Sequence, residues 1–376
     1  MKICFYNVTA SFIPGGLETY CWEAGRALAR RGHQVEIVAG DRGGPWHDEV
    51  RLVQFPFRVE QDWPNFGTRF RRLMERHSFS SQSLPYLLSA RFDALVVNKP
   101  FDLPILWRAR RRGLKAITVF SSGGTDFFRG DRWFAGAIDR WMSTSRHNAA
   151  EVAEHFGQPV SVVYSGVDTD RFRPLTRQSG WRTAHRIPDK ALLLASLGRL
   201  VGLKGLRIVV EAMAELAAPV HFIIVGEGPE EKALRARANE LGVSDRVHFY
   251  GRAAHEDLPP LLSEMDLLVQ PSVGAEAFGI SVVEAMACGL PVFASDLGGL
   301  RETVVDGLTG RLIPQADVPA WRSALALAEK DRGRLVEWGV TGRARVQQEF
   351  TWVRNAIGLE KLLGLASPEG PAPCAA

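Results

Sequence analysis

Cysteine is scarce in this 376-residue chain: Cys4, Cys21, Cys288 and Cys374 are the whole complement, and no C-x-x-C spacing occurs. A disulfide framework or a structural zinc ribbon needs paired thiols, so reduced, buried cysteines are expected instead. The nine histidines are scattered without an H-E-x-x-H or similar ligand spacing, and no metal site is legible. No run of 18 apolar residues exists, which excludes a membrane-crossing helix of ordinary length. The chain opens on the strand-like Lys2-Ile-Cys-Phe-Tyr6 without a signal-peptide layout, so a cytoplasmic protein is expected. Neither stacking aromatics nor a DNA- or RNA-binding pattern accompanies the arginines, and no nucleic-acid partner is expected.

What is present is apolar mass. A hydrophobic share of 46% over 376 residues exceeds what one core usually accommodates, so two domains are the natural division. The formal charge of +4 is uneven: residues 1–175 hold 24 Lys and Arg against 18 Asp and Glu, and the remainder 22 against 24. The basic excess gathers in Phe66–His77 and Arg108–Lys115. The first carries Arg69, Arg71, Arg72 and Arg76 around Phe66, Phe70, Leu73 and Met74. Two readings fit it: a basic amphipathic helix giving peripheral contact with anionic lipid at the inner face of a membrane, or a solvated helix face beside a groove.

Short apolar runs alternate with helical patterns throughout, the signature of βαβ units and parallel sheets. Strands are expected at Ile3–Val8, Gln34–Ala39, Val50–Phe57, Ala94–Asn98, Ala116–Phe120 and Val160–Tyr164. Between the first two, Leu17, Tyr20, Cys21, Ala24, Ala27 and Leu28 repeat at helical spacing over Leu17–Arg31. The alternation lapses near Ser165–Pro174, a stretch of turn formers and charges, and restarts with strands at Leu192–Leu197, His221–Val225, Arg246–Tyr250, Asp266–Gln270 and Pro291–Ala294. The expected fold class is α/β: two Rossmann-like domains facing a cleft, over residues 1–170 and 171–350. A helix over 351–365 crosses back to the first domain, and a Pro-rich disordered tail occupies 366–376.

In sheets of this kind ligands bind beyond the carboxyl ends of the strands. Four strand ends carry chemistry. After the first strand, Gly15 and Gly16 let the backbone approach a ligand as a helix begins. After Leu197 come Gly198-Arg199 and Lys204, cations on a glycine-bearing loop suited to a diphosphate leaving group; pairing with an acidic neighbour is the plain alternative for each. Gly251-Arg252 is placed to meet a nucleobase edge. Beyond the strand at Gln270, Gly274–Val292 sets Glu276 and Glu284 eight positions apart, and a helix beginning near Gly279 would aim the N–H groups of Gly279, Ile280 and Ser281 at an anion, a phosphate above all.

Two near-motifs are weaker. Gly226-Glu-Gly228 begins like the dinucleotide fingerprint but has Glu231 where a third glycine belongs, and Pro229 reads as the first residue of the next helix. Asp168-Thr-Asp170 looks like a metal-binding DxD, yet it sits in a linker with no further ligand nearby.

Together these residues resemble the family-4 glycosyltransferases of the type-B glycosyltransferase fold. The resemblance runs through Gly15-Gly16-Leu-Glu18, Arg31-Gly-His33, Tyr164-Ser-Gly-Val-Asp168, Gly198-Arg199 with Lys204, Gly226-Glu-Gly228, Glu276 with Glu284 in an E-x7-E motif, and Glu302 with Asp306-Gly-Leu-Thr-Gly310. It implies transfer of a hexose-type sugar, with retention and without an obligatory metal or other cofactor. The donor would be a UDP- or GDP-sugar, and the acceptor a saccharide, a lipid-linked glycan or a small-molecule hydroxyl, in glycan, cell-envelope or glycoconjugate biosynthesis. The first domain would then bind acceptor and the second the nucleotide-sugar.

On the same resemblance Arg199 and Lys204 neutralise the diphosphate, Glu284 binds the ribose, and Glu276 meets the donor sugar. The backbone at Phe278, Gly279 and Ile280 holds sugar and phosphate, and Gly16 reaches the phosphate across the closed cleft. One departure stands out. Where many relatives carry a histidine at the donor sugar, this chain reads Phe120-Ser-Ser-Gly-Gly-Thr-Asp126, with Ser122 or Gly123 in the histidine's place and Ser121, Ser122, Thr125 or Asp126 to supply polar contacts; a loop with no catalytic side chain is the alternative. A nucleotide- or sugar-binding partner of another transferase, or an epimerase or hydrolase of similar fold, also stays open.

Physical chemistry narrows the mechanism. A retaining glycosidase keeps its two carboxylates about 5 Å apart, whereas eight helical residues span roughly 12 Å. Separate positioning roles therefore suit Glu276 and Glu284 better than an acid and nucleophile pair. The aromatic, basic stretch Phe127–Phe134 is read either as a sugar- or lipid-facing wall or as interdomain packing.

Overall fold

The computed structural model describes residues 1–13, 15–44, 48–177, 180–216 and 220–365. The expected tail at 366–376, with Cys374, lies outside them, as does Pro14. Contacts divide the chain into two units, Met1–Gly166 together with the segment from Trp352 onward, and Val167–Thr351.

The first unit holds seven parallel strands: β1 (Lys2–Tyr6), β2 (Gln34–Gly40), β3 (Arg51–Phe55), β4 (Ala94–Val97), β5 (Ile117–Ser122), β6 (Arg140–Ser143) and β7 (Ser161–Val162), in the order β3-β2-β1-β4-β5-β6-β7. Parallel strands covered on both faces need side chains that are apolar at every position. β1 and β4 show the consequence. Ile3, Phe5, Ala94 and Val96 enter one core with Tyr20, Ala24 and Leu28 of the helix Gly16–Arg30. Cys4, Tyr6, Leu95 and Val97 enter another with Phe79, Leu84 and Leu87 of the helix Thr68–Ser89. The helix Trp352–Leu362 completes the first layer: Trp352, Ala356 and Leu359 are buried there, Tyr20 and Trp352 meet edge to face at 5.9 Å, and Glu360 takes a bidentate hydrogen bond from Arg31 (both 2.7 Å) with His33 at 3.0 Å.

The second unit holds six: β8 (Leu192–Leu197), β9 (Val220–Val225), β10 (Val247–Gly251), β11 (Leu267–Gln270), β12 (Val292–Ser295) and β13 (Gly310–Ile313), in the order β10-β9-β8-β11-β12-β13, again all parallel. Leu192, Leu194, Phe222, Ile224, Leu267 and Val269 share one core with the fully buried Trp321.

Two strands were not expected, β6 and β13. β6 opens on Arg140 and has only Trp141 and Met142 as large apolar residues, Arg311 interrupts β13, and β13 is an edge strand with only one neighbour to satisfy. Pro229 is not the first residue of its helix. Glu230 caps a helix over Glu231–Glu240, leaving the proline in the turn before it. Cys4, Cys21 and Cys288 are free and buried. No described helix is long and apolar enough to cross a membrane.

Each sheet has one place where the strand order reverses. In the first unit the chain leaves β1 for β2 and β3 on one side and resumes at β4 on the other; in the second it leaves β8 for β9 and β10 and resumes at β11. In sheets of this kind the carboxyl ends of the strands at such a reversal are where ligands bind.

Candidate active site

At the reversal in the second unit, the loop after β8 meets the loop after β11. Lys204 lies in a short turn, Gly202–Lys204, and its Nζ donates to Glu276 Oε1 at 2.5 Å. Ser272 Oγ donates to the same oxygen at 2.8 Å and Gln270 Nε2 at 3.0 Å, and Gln270 also donates to Ser272 at 2.9 Å. One carboxylate oxygen is thus held by three donors, while Oε2 takes no hydrogen bond among the described residues. A carboxylate fixed this way keeps one acceptor in a defined direction, the preorganisation that positional catalysis requires.

The helix Ile280–Ala287 follows directly. Gly279 precedes it with φ +87°, a left-handed conformation that glycine reaches without strain, and the first amides of the helix have no carbonyl one turn back to bond. Phe278 is buried and meets Phe350 edge to face at 5.5 Å, which fixes the loop in front of those amides. Gly289, at φ +80°, ends the segment: Gly289 N bonds Met286 O and Leu290 N bonds Ala285 O, a Schellman closure. Ile280 and Ser281 are half-buried. Glu284 points elsewhere than Glu276 in its bonding. Its Oε1 lies 2.6 Å from His255 Nε2, and the two glutamates share no partner.

Arg199 and Arg252 are exposed, and neither has an ion pair among the described residues. Gly198 bonds Val225 O through its amide at 2.9 Å. The structure therefore joins Lys204 to Glu276, realising the plain acidic-neighbour pairing for the lysine, and leaves Arg199 uncommitted. Gly226 and Gly228 serve close approach instead of a dinucleotide: a Cβ at either would lie 1.9 Å from Gly198 O or 2.2 Å from Leu200 O. The two loops can pack only because both positions lack side chains.

In the first unit, Gly15 caps the helix Gly16–Arg30, and a Cβ on it would lie 2.5 Å from Glu18 Oε2. Glu18 fills that space because it is drawn inward. Lys99 Nζ donates to Glu18 Oε1 at 3.1 Å and to Thr9 Oγ1 at 2.9 Å, and Thr9 Oγ1 donates to Glu18 at 2.5 Å. Burial alone would raise the Glu18 carboxyl, but Lys99 and the Thr9 hydroxyl hold it below the usual carboxylate range. The glycine turn is thus pinned to the end of β4.

The serine-glycine loop after β5 behaves differently. Ser122 is buried with its Oγ donating to Gly124 O at 2.9 Å, Gly123 packs on Leu17, and Asp126 forms an ion pair with Arg72. Arg76 of the basic segment is buried beside Asp102 at 3.5 Å, so part of that segment's charge is matched internally. Phe127–Phe134 makes most of its ring contacts within the first unit. Phe127 stacks on His155, Phe128 on Phe101, and Phe134 meets Trp107, all inside the first unit; Trp133 alone of these rings is 83% exposed. Asp168 of the DxD-like run accepts from the amides of Asp170 and Arg171, both at 3.1 Å, which makes it a turn former. No metal-holding cluster of His, Cys, Asp or Glu occurs among the described residues.

His255, Gln270, Ser272, Thr9 and Lys99 were not singled out from the sequence. Their one common signal is position, since each is a polar residue within a few places of a strand's carboxyl end.

The first-unit sequence matches the family described as Glycosyltransferase Family 4 over residues 14–171, and the second that described as Glycosyl transferases group 1 over residues 178–345. Over 385 residues the chain is 30% identical to the GDP-mannose-dependent alpha-(1-6)-phosphatidylinositol monomannoside mannosyltransferase of Mycobacterium tuberculosis, covering 95% of this chain and 97% of that protein. Among solved structures it superimposes on the sucrose-phosphate synthase of Thermosynechococcus elongatus with TM-score 0.83 at 22% identity, covering 96% and 98% of the two chains. The Anabaena HepE protein in complex with UDP and glucose gives TM-score 0.81 at 22% identity, covering 97% and 99%. At such identities these likenesses establish the type-B glycosyltransferase fold and no more. The chain belongs to the family-4, group 1 glycosyltransferases, and it is a glycosyltransferase enzyme.

Proposed function

We propose that this enzyme is a retaining hexosyltransferase that uses a GDP- or UDP-sugar and delivers the sugar to a hydroxyl of a saccharide, lipid-linked or small-molecule acceptor in glycan or cell-envelope biosynthesis. GDP-mannose is the first donor to test, because the relative that matches over nearly its whole length is named for it. The observation that carries the proposal is the Glu276 carboxylate, tied by Lys204, Ser272 and Gln270 at the strand-order reversal of the second sheet.

In this mechanism Arg199 and Lys204 offset the charge that grows on the departing diphosphate, with the amides around Gly279–Ser281 as further donors. Glu276 Oε2 accepts a hydroxyl of the transferred sugar, and Glu284 a hydroxyl of the ribose. The acceptor oxygen bonds to the anomeric carbon on the face the diphosphate leaves. The bond from that carbon to the phosphate oxygen breaks, and the acceptor's proton passes to the leaving phosphate. No side chain is needed as nucleophile, and no metal enters the scheme. The test is Glu276→Gln: transfer of mannose from GDP-mannose to a panel of acceptors, read by mass spectrometry, should drop about 100-fold or more with the melting temperature little changed. Full activity in that variant would sink the proposal, and release of free or epimerised sugar in place of a product would redirect it to a hydrolase or epimerase.

A further inference from the structure

Resting on the assignment of Glu284 to the ribose, the structure supplies a reason that this carboxylate can read a sugar hydroxyl at all. Glu284 lies midway along the helix Ile280–Ala287 with its side chain 8% exposed. Its Oε1 is 2.6 Å from His255 Nε2, and Oε2 takes no hydrogen bond among the described residues. A glutamate has three rotatable bonds, and orienting it costs side-chain entropy unless a neighbour holds it.

The holder is itself held. His255 opens the turn His255–Asp257 beyond β10, and its ring sits 5.1 Å from that of Phe172. Phe172 is fully buried; its amide bonds Asp168 O at 2.8 Å and its carbonyl accepts from Arg343 at 3.2 Å. A ring backed by a fixed wall presents Nε2–H in one direction, and a carboxylate pinned through one oxygen offers the other at a fixed place.

We propose that His255 is a positioning residue that fixes Glu284 so that Oε2 accepts a ribose hydroxyl, which makes the site select ribonucleoside over deoxyribonucleoside diphosphates. Glu284 does the contacting, and His255 acts through it.

The experiment measures calorimetric dissociation constants of GDP and UDP and of their 2′,3′-dideoxy counterparts on the full chain. For whichever base binds tighter, the native protein should prefer the ribonucleotide by about tenfold or more, the usual worth of a hydrogen bond to a charged group. His255→Ala should bring that ratio below about threefold, and His255→Gln should retain it, since a glutamine amide can place an N–H donor where the ring nitrogen stood. Because the readout is a ratio on one protein, general loosening of the fold does not imitate it.

A native protein that binds both forms equally would overturn the ribose assignment, and this inference with it. A native preference lost in Glu284→Ala but kept in His255→Ala would overturn the role of His255 alone. Should His255→Ala fail to fold by circular dichroism, His255→Gln and His255→Asn decide the matter: the shorter asparagine cannot reach Glu284, and equal ratios in the two would refute the proposal.

Discussion

His221 and His248 face one another from β9 and β10, Nδ1 to Nε2 at 3.1 Å with their rings nearly parallel. Such a contact needs one nitrogen to donate and the other to accept, so both rings cannot be protonated without setting two donors against each other. Burial first, then the neighbouring His221 and His185, push His248 down to about 4 from its ordinary 6.5. The folded chain therefore binds fewer protons here than the unfolded chain between those values. Stability from this group is complete above about pH 6.5 and is lost as the pH falls toward 4. Melting temperatures measured from pH 7.5 to 4.5 should fall on the acid side, and His248→Phe should flatten part of that fall; an unchanged slope would show that the acid sensitivity arises elsewhere. The pairing itself was not legible in the sequence. Lys204 and Glu276 could each be picked out, since each follows a strand end, but they stand 72 positions apart and nothing local says that they touch. Pairs such as these depend on the register between loops, which only the folded sheet defines.

Individual elements show how a glycine motif can depend on a lysine far away. Gly15 lacks a side chain because the Glu18 carboxylate occupies that space, and Glu18 is there because Lys99 at the end of β4 neutralises it. Lys99→Met would leave a buried carboxylate without its cation. With the lysine side chain still 24% exposed, the loss should lie at about 2 kcal/mol, below that of a fully buried pair. Urea unfolding of Lys99→Met, Glu18→Gln and the double variant would check it: the double should recover at least half of the loss, and additive effects would deny the coupling. The helix Gly16–Arg30 and the strand β8 were legible almost to the residue because their apolar spacing is uninterrupted. β6 and β13 were not, since each is only four residues long, with Arg140 at the start of one and Arg311 within the other, too short for periodicity to recover. The turn Asp306–Gly310 looked like part of a family pattern; in the fold it shapes the entry to β13, with Asp306 Oδ1 accepting from Leu312 N at 2.9 Å.

At the scale of the whole molecule, two parallel sheets built to one plan were foreseeable from the alternation of runs, and the restart of that alternation located the second unit. What the alternation could not say is how much the first unit leans on the end of the chain. Trp352, Ala356 and Leu359 are buried among Tyr20, Cys21 and Leu28, and Glu360 answers both Arg31 and His33. Ending the chain at Thr351 should cost the first unit on the order of 5 kcal/mol in buried apolar surface, comparable to the stability of an ordinary domain. Limited proteolysis followed by mass spectrometry should then release fragments from residues 1–166 while 167–351 stays protected. Equal resistance of both would refute it.

That return of the chain also bears on synthesis. Domains commonly fold in the order in which they leave the ribosome, but here the second unit is one continuous stretch and the first is two separated pieces. The part made first is therefore the part finished last. Until the residues beyond Trp352 emerge, the face of β1 and of the helix Gly16–Arg30 stays uncovered while the second unit already stands folded, and it is there that a chaperone would find this protein during translation.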